Sequence, residues 1–265
     1  MLLAQLAKEF KSRMILIHVY ESPVIFTEAS IAVSQEIETS IISDFTKRIE
    51  NLKNDLLKKN TVSHIETRVV KGFLIQEICN CAQKEDADAI IMGTTGKGKA
   101  ERVLLGSTSA KVISEAKCPV LLIPENTIYA GINKIVFATD LNEDNLTAAK
   151  QIVPFAKHFK SEIVFVFVDD KTLFHSDDYI SNMSKKIRSH VNYNRISGYV
   201  SENTTITKGL EYFVKKHPAD LLVMFKHNWH FPKSFLNPSV TSKMSNLTKI
   251  PLLSLPIESQ ILAEV

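Results

Sequence analysis

LAKEFKSRMILIHV (residues 6–19) and FAKHFKSEIVFVFV (155–168) are one segment written twice, 149 residues apart. Each reads as the end of a helix, a polar turn, and a near-continuous apolar run of the kind found in parallel strands buried on both faces. ADAIIMGTTG (87–96) and ADLLVMFKHN (219–228) repeat at an offset of 132, and that register continues without a gap through KCPVLLIP (117–124) and KIPLLSLP (249–256). One supersecondary plan therefore occurs twice. The boundary falls in ENTIYAGIN (125–133), which gives units at 1–125 and 132–258.

Within each copy, short apolar runs alternate with helical stripes, the pattern of βαβ units around a parallel sheet. In the first copy MILIHVY (14–20), IETRVV (65–70), AIIM (89–92) and PVLLI (119–123) read as strands. Ile37, Ile41, Phe45, Ile49, Leu52 and Leu56 recur every three or four residues and predict a long amphipathic helix. Leu74, Ile75, Ile78 and Ala82 predict another. The second copy repeats the order with IVFAT (135–139), EIVFVFV (162–168), ISGYV (196–200), LLVM (221–224) and PLLSL (251–255). One strand lacks a counterpart. IVFATD (135–140) opens the second copy, and its equivalent in the first would fall upstream of Met1.

Composition excludes several classes. The 265 residues are 45% hydrophobic and 23% charged, with 32 basic and 29 acidic residues and a net charge of +3. So even a balance argues for no nucleic-acid or anionic-membrane partner. No apolar run approaches the ~20 residues of a membrane span. MLLAQLAKEF at the start is read as helix, because its charges follow the apolar residues and no cleavage site appears. Cys79, Cys81 and Cys118 make no disulfide framework, which predicts a reduced, cytoplasmic protein.

Half of the eight glycines lie in GTTGKGKAERVLLGST (93–108), directly after one strand and before a helix. Glycine lets a ligand approach backbone N–H groups. The helix start adds unpaired N–H groups and partial positive charge. Lys97, Lys99 and Arg102 supply full charges, and Ser107 and Thr108 can cap the helix or bond an anion. Gly93, Gly96 and Gly106 fit the spacing G-x2-G-x9-G-[S/T], a site for polyphosphate. GTTGKGK also approaches a Walker A loop. However, that motif needs Ser or Thr after its Lys, and Ala100 stands there.

On the glycine pattern, on HVY (18–20), on CPVLLIP (118–124) and on FATD (137–140), the chain resembles the universal stress protein family in its tandem, UspA-like form. The resemblance implies two α/β three-layer sandwiches with parallel sheets in the order 3-2-1-4-5, the first lacking its first strand. It implies domains that pair through their last strands, PVLLI and PLLSL. A homodimer is a further expectation. For one subfamily it implies ATP, possibly with Mg. By position, Val19 would lie against adenine or ribose. Gly93, Gly96 and Lys97 would line the phosphates, and Gly106, Ser107 and Thr108 would hold them at the helix start. The family also uses an Asp at the end of the first strand, where the second copy has Asp140. That copy replaces the three loop glycines by Phe225, Asn228 and Pro238, keeps only Ser239, and is expected to bind no nucleotide.

The expected function is a stress-response sensor or adaptor that binds ATP in the first domain. The alternative is a scaffold that binds none. Slow hydrolysis ranks last, since no loop residue is read as a general base. In the order 3-2-1-4-5 the missing strand is central, so its absence would leave rows of unpaired backbone groups at ~1–3 kcal/mol each. That predicts a shortened version of a longer product, or flanking strands that close the gap or borrow a strand. Elsewhere, HNWH (227–230) is read as a packing loop rather than a metal site. Asp169–Asp170 is read as a solvated turn at the sheet's carboxyl edge, and His18 and Cys118 as packing residues.

Overall fold

The computed structural model describes residues 2–21, 31–58, 64–94, 107–125, 127, 130–139, 144–169, 177–202, 206–225 and 250–256. The first copy contributes α1 (Leu2–Glu9), β1 (Arg13–Tyr20), α2 (Ile31–Lys58), β2 (His64–Lys71), α3 (Leu74–Lys84), β3 (Ile90–Gly93), α4 (Ser107–Glu115) and β4 (Val120–Ile123). The second contributes β5 (Lys134–Thr139), α5 (Asp144–Phe159), β6 (Glu162–Asp169), α6 (Asp177–Val191), β7 (Ile196–Glu202), α7 (Ile206–Lys216), β8 (Leu221–Phe225) and β9 (Leu252–Leu255). No described helix is long and apolar enough to cross a membrane.

The repeated AKxFKS motif folds the same way in both copies. After α1, Lys11 takes the left-handed conformation at φ 49°; after α5, Lys160 takes it at 55°. The amide of Ser12 then reaches back to the Ala7 carbonyl at 2.9 Å, as that of Ser161 does to Ala156 at 2.8 Å. This is a Schellman-type stop that satisfies late helix carbonyls. Glycine usually fills the left-handed position. A lysine there accepts a backbone penalty of about 1–2 kcal/mol.

The chain divides into two units, residues 1–84 and 85–265. The division lies inside the first copy and not at the connecting segment 125–133, for a reason visible in the strand pairing. In the larger unit one seven-stranded sheet runs β3-β4-β9-β8-β5-β6-β7. Its β7-β6-β5-β8-β9 portion is all parallel and has the expected order 3-2-1-4-5 of the second copy. β3 and β4 join it because β4 pairs antiparallel with β9, at Val120↔Ser254, Leu121↔Leu253 and Leu122↔Leu252. Thus PVLLI does meet PLLSL. Leu121 and Leu253 are equivalent residues of the repeat, so the two last strands are related by a local twofold. In the smaller unit β1 and β2 form a separate parallel pair, from Arg13↔His64 to Tyr20↔Lys71.

Burial follows pairing. β5 lies between β6 and β8, and Ile163, Phe165, Leu222 and Val223 on those strands are essentially inaccessible. α5 covers the second copy with a face of small and branched residues, Ala148, Ala149, Ile152, Val153 and Ala156, all buried. The matching positions of the first copy, Met14 apart, are only half-buried: Leu16 on β1 and Ile90 and Ile91 on β3. α3 has no buried residue, and Phe73 before it is 72% exposed. In the smaller unit Met14, Leu56 and Ile65 form a buried cluster, with Ala7, Leu16 and Leu57 around them. On α2 the expected stripe is buried at Ile49 and Leu56 only. Leu52 is exposed, since the buried face passes through the Lys53 position instead.

Gly198 shows where α6 presses closely on the sheet. A Cβ there would stand 2.3 Å from Ile180 Cγ2 and 2.6 Å from Ser184 Oγ on α6. Glycine within a strand marks such close approach. Gly198→Ala is expected to destabilise the larger unit by about 1–3 kcal/mol, the usual result of overpacking. Urea unfolding monitored by far-UV circular dichroism measures it.

Candidate functional site

The glycine-rich segment 93–108 begins and ends on described residues of the larger unit, and its two ends are bonded together. β3 ends at Gly93, opposite Ile123 of β4. Thr94 is buried, and its amide donates to the Ile123 carbonyl at 3.3 Å. α4 starts at Ser107. The buried Ser109, in its first turn, donates its hydroxyl to the Gly93 carbonyl at 3.1 Å. Val112 and Ile113, one turn further, are buried and hold the helix to the body of the unit. The chain therefore leaves the sheet and returns to within one hydrogen bond of where it left.

The start of α4 carries no acid of its own. Its first turn holds no acidic residue, so nothing from the helix itself offsets the positive end of its dipole. Ser107 is exposed and Thr108 half-buried there. The geometry thus joins Gly93 to the Ser107–Ser109 turn. Val19 belongs to the smaller unit, where it is half-buried and pairs with Val70. Gly96, Lys97 and Gly106 lie outside the described residues, as do Asp140, Asn228, Pro238 and Ser239 of the second copy. Ser109 was not singled out from sequence. Its signal, a hydroxyl residue on the third position of the helix after the last loop glycine, is too common to stand out.

The second copy differs where it can be compared. Phe225 occupies the position of Gly93 and is buried, edge-on to Phe137 with ring centroids 5.7 Å apart. Phe137 in turn packs on Phe165 at 5.0 Å. An aromatic core residue therefore stands where the first copy presents an exposed glycine at the end of its strand. At the end of β5, the Thr139 hydroxyl bonds the side-chain oxygen of Asn145 at the start of α5.

Of the remaining candidates, His18 stacks against Phe45 with centroids 4.1 Å apart, a packing role. Asp169 ends β6 opposite Glu202. Cys79, Cys81 and Cys118 are not in disulfides. HNWH and Asp170 lie outside the described residues. Among the described residues no group of three His, Cys, Asp or Glu is arranged to hold a metal ion.

A polar cluster that periodicity does not reveal closes the carboxyl end of the β1–β2 pair. Glu38 on α2 accepts from Lys71 Nζ at 2.7 Å and from the hydroxyl of buried Tyr20 at 3.4 Å. The Lys71 hydrogen bond holds Glu38 below the ordinary carboxylate value. Burial, and secondarily Glu38, pushes the Tyr20 hydroxyl up. Further along, Glu50 accepts from Thr67 at 2.5 Å, and Glu66 accepts from Arg13 at 3.1 Å and Arg68 at 3.0 Å. Thr67 lowers Glu50. His64 first, then Arg68, lowers Glu66.

All three carboxylates are depressed in the folded chain. Their stabilisation is present above the ordinary glutamate value near 4.5 and is lost as pH falls through the folded values. The smaller unit is therefore expected to lose stability on acidification below about pH 4.5. Glu38→Gln, Glu50→Gln and Glu66→Gln together should flatten that dependence. Thermal unfolding at pH 7 and pH 3.5, with and without the three changes, checks it.

Comparison with known proteins gives a consistent result. A family model described as the universal stress protein family matches residues 2–124 and again 131–256. A universal stress protein of Methanocaldococcus jannaschii is 35% identical over 121 residues, covering 44% of this chain and 68% of that protein. One from Thermus aquaticus is 36% identical over 77 residues, covering 29% of this chain and 56% of its own length. Among solved structures, a universal stress protein from Archaeoglobus fulgidus superimposes with a TM-score of 0.63 over 96% of this chain and 90% of its own, at 17% identity. At that identity the likeness concerns the fold.

Proposed function

Because this chain belongs to the universal stress protein family, we propose that its first copy binds an adenine nucleotide, ATP foremost, at the glycine-rich loop, and that it acts as a cytoplasmic stress-response sensor or adaptor. The observation that carries this reading is the Ser109–Gly93 hydrogen bond. It holds the two ends of the loop together beside a helix start that has no acid of its own. A helix start of this kind offers backbone N–H groups and a positive dipole end to phosphate oxygens. Lys97 adds a charge for the outer phosphates, with Gly96, Gly106, Ser107 and Thr108 forming the cradle, and Val19 is assigned to the adenine or ribose. Mg would accompany the phosphates as it commonly does.

The second copy is assigned no nucleotide. Phe225 supports this, since its buried ring replaces the exposed glycine from which the first loop departs. The competing reading is a scaffold that binds no nucleotide. It is favoured by the continuous seven-stranded sheet, in which the last strands serve to join the copies. The measurement that separates the two is direct. The purified chain is denatured and released nucleotide is identified, and binding of added ATP is followed by calorimetry. Gly106→Val is expected to lower ATP affinity at least ~100-fold by filling the space a phosphate needs, with little change in the thermal midpoint of the apo chain. Equal affinity for variant and parent would remove the loop from the site. An absence of binding in the parent would leave the scaffold reading.

A further inference from the structure

The 28 residues of α2 are more helix than the strand pair beneath it needs. The helix runs against the strands. Leu56 packs with Met14 and Ile65 at the strand starts, and Glu50 bonds Thr67 midway. Phe45 meets His18, and Glu38 reaches Tyr20 and Lys71, the last residues of β1 and β2. Residues 31–37 then carry the helix about 10 Å further, past the carboxyl ends of both strands. In α/β sheets that is the end outside which ligands bind.

The two halves of α2 are held differently. Met14 and Ile163 are equivalent in the repeat and pair with Ile65 and Ile196, so β2 and β7 align at an offset of 131. At that offset Ile180, Ser184 and Ile187, the buried face of α6, stand at Ile49, Lys53 and Leu56. α6 begins at Asp177, the place of residue 46. The second half of α2 therefore matches a whole covering helix, and the first half lies ahead of it. From Ile37 to Phe45 no side chain is fully buried, and Ile37 and Ile42 are exposed. This half rests on the Phe45 ring and on Glu38, which accepts from Lys71 Nζ at 2.7 Å and from the Tyr20 hydroxyl at 3.4 Å. Half of the Lys71 side chain is in solvent, and such pairs hold weakly. Segments with few buried contacts open at less than the global cost.

We propose that the first half of α2, residues 31–45, is a strap latched by Glu38, which opens independently of residues 46–58 and gates the carboxyl end of β1. Closed, it keeps Glu38 on Tyr20 and Lys71. Opening releases both and clears the strand end, where Val19 precedes Tyr20. The gating of a ligand rests on the assignment of Val19 to adenine or ribose; the independent opening does not.

Hydrogen–deuterium exchange of the full chain, followed residue by residue by NMR, tests the strap without any ligand. Glu38→Gln is expected to speed exchange of the amides of residues 37–45 about 5-fold, the scale of an exposed ion pair. Exchanging the charges, Glu38→Lys with Lys71→Glu, should restore the slower rate. Ile65→Val, which loosens the core under the second half, should speed residues 49–58 about 5-fold and leave 37–45 unchanged. Stopped-flow release of ATP tests the gate, with Glu38→Gln expected to release it about 5-fold faster. Exchange at 37–45 indifferent to Glu38→Gln, or rising equally with 49–58 in Ile65→Val, would overturn the strap. Faster exchange with unchanged ATP release would overturn the gate. A parent chain that binds no ATP would instead remove the nucleotide reading and the gate with it, and leave the strap to be judged by exchange alone.

Discussion

A parallel strand satisfied on both edges is the constraint on which the rest of this molecule depends. β5 has one: β6 on one side, β8 on the other, and the Asp220 carboxylate at its head. Where it is present, the residues beside it are sealed from water and the helices above have something continuous to cover. The first copy provides an internal comparison with the same motifs and the same helix stop. Its described strands divide between two sheets. The difference arises from hydrogen-bond accounting more than from hydrophobicity. Leu16, Ile90 and Ile91 are as apolar as their counterparts, and burying such a side chain fully contributes about 1.5–3 kcal/mol. They are half-exposed on strands that, among the described residues, are paired on one side only.

The loop responds to the same logic on a smaller scale. Gly93 and Phe225 close equivalent strands, and the choice between them decides whether the strand ends in the open or in an aromatic stack with Phe137 and Phe165. A glycine end leaves backbone to be recognised. A phenylalanine end uses the same volume to consolidate the core. The duplicated plan thus ends one strand in an exposed glycine and the other in a packed ring.

Much of this was legible in the sequence, because repeats and alternating runs report local periodicity. The contrast between Gly93 and Phe225 follows from aligning the chain with itself, whereas the strand order of the second copy and the meeting of PVLLI with PLLSL were implied by the family resemblance. What was not legible depends on three-dimensional coincidence. The Ser109–Gly93 bond joins residues sixteen apart across the loop. Glu38, Tyr20 and Lys71 meet from three different elements. The stripe on α2 placed Leu52 inward because a spacing of three and a spacing of four both fit a helix, and only packing selects between them. The division at Lys84 could not be read either, since it follows from which strands find partners.

The pairing of β4 with β9 carries one more consequence. Two separate chains joining by such edges would lose translational and rotational freedom, and their union would weaken on dilution. Here both edges belong to one polypeptide, linked by the short passage from Ile123 to Lys134. Tethering replaces bulk concentration by an effective concentration, on the order of millimolar for short flexible links. The joint is therefore independent of how much protein the solution holds. One polypeptide can then carry two unequal halves without their being diluted apart or exchanged for like halves.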